Sequence, residues 1–203
     1  MEGIKCYLAS ASPRRRELME QTGFCFEVRV SGADENIPVT DPAGLVEQLS
    51  AIKAGSVAGE LIAEGTHEER FMVIGADTVV SIDGKILGKP VDEQDASRML
   101  REISGRTHSV FTGVTVVMVC QGAEAGRVTF HEETKVTIAE MTDSEIAGYV
   151  AGGDPMDKAG AYGIQSGAAV FVSSIEGDYY NVVGLPVCSL YHNIKRLSES
   201  ISD

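Results

Sequence analysis

Metal-thiolate and disulfide chemistry have little to work with in this chain. Of 203 residues, four are cysteine and four histidine. Cys6, Cys25, Cys120 and Cys188 are scattered without a C-x-x-C pair, and His67, His108, His131 and His192 lack ligand spacing. A zinc site is therefore not expected. The cysteines read as buried free thiols of a reducing compartment, Cys6 and Cys120 falling inside strand-like apolar runs. No apolar run approaches the ~20 residues that span a bilayer. The opening Met1-Glu2-Gly3-Ile4-Lys5 has no apolar stretch behind a basic region, so the expected location is cytoplasmic. Positive charge is scarce too: 17 Lys and Arg face 30 Asp and Glu, a net charge of −13. Such a chain repels a nucleic-acid backbone, so neither a nucleic-acid polymer nor a membrane is expected as partner. A small anion could still bind where basic residues are concentrated. Repeats and low-complexity segments are absent.

What is present is an ordinary globular balance, 43% hydrophobic and 23% charged, long enough to bury a core. Length suggests one large domain, or two lobes sharing one sheet. Lys5 to Ala9 reads as a short buried strand, and Ser12-Pro13 starts a helix with a hydroxyl cap and a first-turn proline. Leu18, Met19 and Thr22 share a face of it and Gly23 stops it. Phe24 to Val30 alternates as a strand. Asp41-Pro42 opens a second helix with Leu45, Val46, Leu49 and Ile52 as its buried stripe. Phe71 to Ile74 is a strand that resumes at Val79 to Ile82, turns at Asp83-Gly84 and returns over Lys85 to Leu87. Asp92 to Ser104 and Asp143 to Val150 read as helices, His108 to Val119 and Val128 to Ile138 as strands, and Gly152 to Gly167 as a loop. Ala168 to Ile175 and Tyr179 to Val183 form a hairpin around Gly177-Asp178, and Pro186 begins a last helix. Alternation early and hairpins late predict an α/β fold with a mixed sheet.

Four segments could carry chemistry. Ser10-Ala11-Ser12-Pro13-Arg14-Arg15-Arg16 lies between a strand and a helix N-terminus, where unpaired N–H groups and the helix dipole favour an anion. Arg14 and Arg15 in the first turn oppose that dipole, a cost a bound phosphate reverses; a solvated basic turn is the ordinary alternative. Asp77 ends an apolar strand, at the rim where ligands bind in α/β sheets. It could hold magnesium or activate water, or simply cap a turn. Glu35 is a possible second metal carboxylate, and alone reads as an exposed loop acid. Gly84-Lys85-Ile86-Leu87-Gly88-Lys89-Pro90 mimics a phosphate-binding P-loop but is one residue short and ends in proline where Ser or Thr must bind metal, so a P-loop is rejected. Lys89 can still reach a phosphate, or remain a surface lysine. Asp157 to Gln165 is rich in small residues that permit close backbone approach, and Gln165 offers a donor and an acceptor to a base edge. A flexible surface loop is the alternative, weakened by Tyr162 and Ile164.

In order along nearly the whole chain come Leu8-Ala9-Ser10-Ala11-Ser12-Pro13-Arg14-Arg15, Gly75-Ala76-Asp77-Thr78-Val79-Val80, Gly88-Lys89-Pro90, Ser104-Gly105-Arg106-Thr107-His108, Pro155 to Gln165, and Gly177 to Pro186. With these blocks the sequence resembles the Maf family of nucleoside triphosphate pyrophosphatases. The resemblance implies one such domain over residues 1–203, and a twisted mixed sheet flanked by helices, in two lobes with a central cleft, similar to inosine triphosphate pyrophosphatase. It implies a divalent cation (Mg²⁺ or Mn²⁺), a cytoplasmic homodimer, and hydrolysis of a nucleoside triphosphate to the monophosphate and pyrophosphate, with clearance of modified nucleotides as one use. Asp77 matches the family's catalytic acidic residue, a proton acceptor. Arg14, Thr78 and Gln165 match positions tied to substrate choice, and Ser10, Arg15, Glu35, Lys53 and Lys89 match other cleft residues, Glu35 and Asp77 as metal carboxylates. Ala76-Asp77-Thr78 resembles the branch acting on dTTP and UTP, and the amide of Gln165 suits the edge of thymine or uracil. Ser166 departs from the glycine expected after the glutamine, which bears on the base pocket and loop motion. The family's link to septum formation and cell division leaves a nucleotide-sensing regulator as the alternative.

Overall fold

The computed structural model describes residues 4–38, 41–65 and 69–202. Met1-Glu2-Gly3 and His67, weighed above, lie outside them. In chain order the strands are β1 (Lys5–Leu8), β2 (Phe26–Val28), β3 (Arg70–Ile82), β4 (Lys85–Leu87), β5 (Thr107–Cys120), β6 (Ala123–Ile138) and β7 (Val172–Glu176). The helices are α1 (Pro13–Gln21), α2 (Pro42–Ala63), α3 (Glu93–Ile103), α4 (Asp143–Ala151), α5 (Tyr179–Val183) and α6 (Val187–Ser202). Among the described residues seven strands pair in the order β2-β1-β3-β5-β6-β7, with β4 beside β3. β1 lies parallel to β2 and β3, whereas β3–β4 and β6–β7 are antiparallel. The sheet is mixed, as the strand and helix alternation predicts.

The chain forms two compact units, one of residues 1–77, 112–131 and 184–203, the other of 78–111 and 132–183. In the first, odd-numbered side chains of the sheet (Tyr7, Phe71, Val73, Val117, Val119) join Ala54, Val57, Ala58 and Leu61 of α2 in one apolar cluster. The even-numbered Cys6, Leu8, Met72, Ile74, Val116 and Met118 are buried as well. Burial of both faces explains why these strands read as continuous apolar runs. The stripe of α2 holds at Leu45, Val46 and Leu49. Ile52 is only half-buried, because the buried face runs on through Ala54, Val57 and Leu61.

Two glycines seat α2 directly on the sheet. A Cβ at Gly75 would stand 2.4 Å from the Ser50 carbonyl oxygen and 2.7 Å from the Ala54 nitrogen. One at Gly113 would stand 2.3 Å from the Val46 carbonyl. The helix backbone therefore touches strand backbone in two places. A hydroxyl relay pins the same region. Ser50 Oγ donates to the Glu47 carbonyl (2.8 Å), so it accepts from Thr115 Oγ1 (2.9 Å), which in turn accepts from Thr129 Oγ1 (2.9 Å). Each hydroxyl has one proton, so the relay has one direction.

The second unit has its own core, built on Val80, Ile82, Leu87, Met99, Leu100, Ile103, Val136, Ile138, Ile146 and Tyr162. α3 starts at Asp92, whose side chain accepts from Asp95 N, and α4 starts with a reciprocal Thr142–Glu145 capping box. The expected hairpin over Ala168 to Val183 is not formed. Gly167–Phe171 is 3-10 helical, β7 pairs with β6 instead, and Tyr179–Val183 is the helix α5. Thr134 clamps the backbone of Asp178 at the start of α5, accepting from its N–H (3.1 Å) and donating to its carbonyl (3.0 Å). Asp178 Oδ1 then accepts from Tyr180 N (2.8 Å), which caps the helix. The Gly152–Gly167 loop contains two short 3-10 turns, Asp154–Asp157 and Ala159–Ala161. The cysteines divide. Cys6 is buried, its thiol pushed up to about 12 by burial, but Cys25 and Cys188 are exposed and Cys120 half-buried. The expectation of buried thiols thus fails at Cys25 and Cys188 and holds only in part at Cys120.

One buried histidine gives the second unit an acid limit. His108 is 3% exposed; its Nε2 lies 2.8 Å from Tyr162 Oη, and Nδ1 has no hydrogen-bond partner among the described residues. Burial pushes its pKa down to about 4. An unfolded chain protonates this histidine as pH falls through about 6.5, while the folded chain resists until about 4. Stability is thus undiminished above pH 6.5 and declines between 6.5 and 4, by about 3 kcal/mol at most. Urea melts across that window should show the decline, and His108→Phe should flatten it. An unchanged slope in that variant would place the acid sensitivity elsewhere.

Candidate active site

The first unit brings six of the sequence-marked residues into two clusters. At the start of α1, Ser12 is the N-cap and accepts from Arg15 N (3.4 Å). Ser10 Oγ accepts from Ser12 N and from Arg15 Nη1, both at 3.2 Å. Arg15 Nε donates to the Gly184 carbonyl at 2.8 Å, a contact 169 residues away in sequence. Arg15 is thereby held rigidly across the helix entrance, with Arg14 half-buried beside it. No acidic residue occupies the first turn of α1, so two cations oppose the helix dipole there. Burial pulls the Arg15 guanidinium below its ordinary pKa; the Asp77 carboxylate opposes this, Arg14 adds to it, and Glu35 opposes it again. A partly desolvated guanidinium at a helix N-terminus gains from any anion that arrives.

The second cluster centres on Lys53. Its Nζ donates to Asp77 Oδ1 at 2.6 Å and lies 3.0 Å from Glu35 Oε2. The ammonium is 12% exposed and Asp77 16%, so salt screens this pair poorly, while Glu35, at 48%, stays open to solvent. Asp77 and Thr78 are the two half-buried positions in an otherwise buried stretch of β3 from Phe71 to Ile82. Lys53 sits on α2 between Ser50 and Ala54, the residues that press on Gly75, two positions before Asp77 on the same strand face. The glycine seat is what lets the lysine reach the aspartate.

Two carboxylates meeting at one cationic point form a donor set that suits a small, hard divalent ion. Mg²⁺ is commonly held by one or two carboxylates together with waters and substrate phosphates. No group of three or more His, Cys, Asp or Glu side chains assembles among the described residues. The set thus fits an ion that the substrate helps to hold, and not a closed protein cage.

Thr78, Lys89 and Gln165 belong to the second unit. β4, between Gly84 and Gly88, is a hairpin strand and not a strand-to-helix loop, in keeping with rejection of a P-loop. Lys89 is exposed; Gly88 before it accepts from Gly160 N at 3.0 Å. A Cβ at Gly160 would stand 2.8 Å from Val80, so the segment leading to Gln165 is pressed onto β3. Gln165 itself is exposed, in a turn. Gly75 and Gly184 lie within the quoted blocks and Gly113 outside them, but the sequence assigns none of them a role; in the structure Gly75 and Gly113 seat α2 and Gly184 holds Arg15. No local signal could show that role, because it lies in what touches their backbone.

An α/β protein with a mixed sheet, an anion-accepting helix entrance and a carboxylate pair bridged by lysine has the parts of a phosphate-handling enzyme. The chain belongs to the Maf family: the family model described as Maf-like protein matches residues 5–197. A relative from Agathobacter rectalis, named dTTP/UTP pyrophosphatase, is 47% identical over 200 residues, covering 96% of this chain and 98% of its own. Another of that name from Bacillus cytotoxicus is 46% identical over 199 residues, with 98% of each chain covered. Among solved structures, a nucleoside-triphosphatase / dITP/XTP pyrophosphatase from Mycobacterium abscessus aligns with a TM-score of 0.37 at 17% identity, covering 68% of this chain and 76% of that one. Among the described residues no helix is long and apolar enough to cross a membrane.

Proposed function

We propose that this chain hydrolyses nucleoside triphosphates, dTTP and UTP foremost, to the monophosphate and pyrophosphate. The observation that carries this is the convergence of Asp77 and Glu35 on Lys53, with Arg15 held at the start of α1 and electrostatically coupled to both carboxylates. The near-full-length relatives named dTTP/UTP pyrophosphatase support it and do not favour a purely regulatory role. In this reading residues 1–203 are one catalytic domain, acting as a cytoplasmic homodimer on free nucleotides, including modified ones.

Ser10, Arg14, Arg15 and Lys89 bind the triphosphate, and Lys53 adds charge beside it. Glu35 directly and Asp77 through an intervening water would hold a divalent cation, Mg²⁺ or Mn²⁺, which when bound supplies positive charge to phosphate oxygens. With Asp77 Oδ1 taken by Lys53, Oδ2 orients a water and accepts its proton. The water oxygen bonds to the α-phosphorus, the bond to the bridging oxygen breaks, and pyrophosphate leaves with the electron pair. Charge gathers on that leaving group, where Arg14 and Arg15 stabilise it. Thr78 and Gln165 read the base, the glutamine amide matching adjacent acceptor and donor groups of uracil or thymine.

The test is incubation of purified protein with Mg²⁺ or Mn²⁺ and a panel of triphosphates, resolving products by ion exchange. Monophosphate and pyrophosphate in equal amounts, fastest from dTTP and UTP, are expected. Preference for 7-methyl-GTP would overturn the pyrimidine assignment alone. No turnover by folded, metal-loaded protein would overturn the reaction.

A further inference from the structure

We propose that Tyr149, Asp154 and Ser166 form a latch that fixes the turn presenting Gln165, making Ser166 a positioning residue for base discrimination. The inference rests on the reading of Gln165 given above. The turn is closed by Ser166 N donating to the Gly163 carbonyl (3.2 Å), with Ile164 and Gln165 at its centre. Both of its ends are tied to one carboxylate oxygen. At the far end Ser166 Oγ donates to Asp154 Oδ2 at 2.6 Å. At the near end Gly163 N donates to Tyr149 Oη (3.2 Å), and that hydroxyl donates to the same Asp154 Oδ2 at 2.6 Å.

The rest of Asp154 is also engaged. Lys158 Nζ donates to Asp154 Oδ1 (3.1 Å) and to its main-chain carbonyl (2.6 Å), so the carboxylate cannot swing away. Burial disfavours the charged Asp154, but hydrogen bonds from Ser166, Tyr149 and Lys158 outweigh it and keep its pKa below the ordinary range. Ser166 Oγ also lies 3.2 Å from the Gly163 carbonyl, yet its single proton goes to the charged and nearer acceptor. The serine has a shaped seat: a Cβ at Gly163 would fall 2.4 Å from Ser166 Oγ, and one at Gly167 3.2 Å from the Tyr149 ring.

The consequence is specific to discrimination. A single amide that pairs with two adjacent groups of a base edge needs its donor and acceptor placed together. A turn free to rock loses one of the two bonds while the phosphate end is undisturbed. Loss of the latch therefore lowers selectivity and leaves the chemical step nearly alone.

The test compares Ser166→Ala, Ser166→Thr and wild type in two readouts. These are the ratio of kcat/KM for UTP over CTP, and amide hydrogen exchange at Gly163 to Gly167. Ser166→Ala should lower the ratio about five- to tenfold, the worth of one hydrogen bond, with kcat for UTP within about twofold and faster exchange in the turn. Ser166→Thr, which keeps the hydroxyl, should restore both. An unchanged ratio in Ser166→Ala overturns the proposal, whether or not exchange speeds up. If wild-type protein turns over no triphosphate, the function reading alone falls. The same ratio is then read from UTP and CTP dissociation constants by calorimetry, under the same criterion.

Discussion

Asp77→Asn should lower kcat for UTP by about 10³-fold while its melting temperature stays within a few degrees of wild type. The amide keeps the size of the carboxylate and its Oδ1 can still accept from Lys53, and Glu35 remains 3.0 Å from the same ammonium. In the proposed mechanism the substitution removes the oxygen that takes a proton from water and half of the charge offered to a divalent ion. Both losses act on the transition state, so kcat should fall far more than KM rises. Pyrophosphate release at saturating UTP, paired with a thermal melt, reads the two effects apart. A variant within tenfold of wild type would reduce Asp77 to an anchor for Lys53.

Gly75→Ala should damage both stability and turnover. Its Cβ would lie 2.4 Å from a carbonyl oxygen and 2.7 Å from a main-chain nitrogen, and backbone has no alternative rotamer to retreat into. Helix α2 must move off the sheet by about 1 Å, at a cost of about 3 kcal/mol, which for a chain of this size lowers the melting temperature by about 10 °C. The same shift draws Lys53 away from Asp77. Misplacement by that distance lowers turnover by about 10²-fold. Gly59→Ala is the matched control: it lies on the same helix, nothing would meet its Cβ within 4 Å, and it should be neutral or slightly stabilising. Equal behaviour of the two variants would show that the seat is softer than its distances imply.

The elements with local causes could be read directly. Ser12-Pro13 and Asp41-Pro42 cap α1 and α2, and Asp83-Gly84 turns the β3–β4 hairpin, because a short side chain or a compatible backbone acts within four residues. The residues of the candidate site were legible as motif positions. How they combine was not, because the joining contacts are distant: Lys53 to Asp77 across 24 residues, Arg15 to Gly184 across 169. The misread hairpin has the same origin. Residues 168–183 carry strand-like composition, and the contact that holds the start of α5 comes from Thr134, more than forty positions earlier. The Gly152–Gly167 segment reads as loop and is one, but the hydrogen bonds that converge on Asp154 within it leave no periodicity in the sequence.

The path of the polypeptide through its two units constrains how the molecule could be divided. Strands β3, β5 and β6 each begin in one unit and end in the other, and the chain passes between the units at 77/78, 111/112, 131/132 and 183/184. Neither unit is a continuous stretch, so no single proteolytic nick can release one intact. A gene truncation would remove parts of a shared set of strands instead of deleting a module. Neither unit can therefore be duplicated, fused or lost as one continuous piece, while new sequence can enter at turns such as Gln121-Gly122 that interrupt no crossing strand.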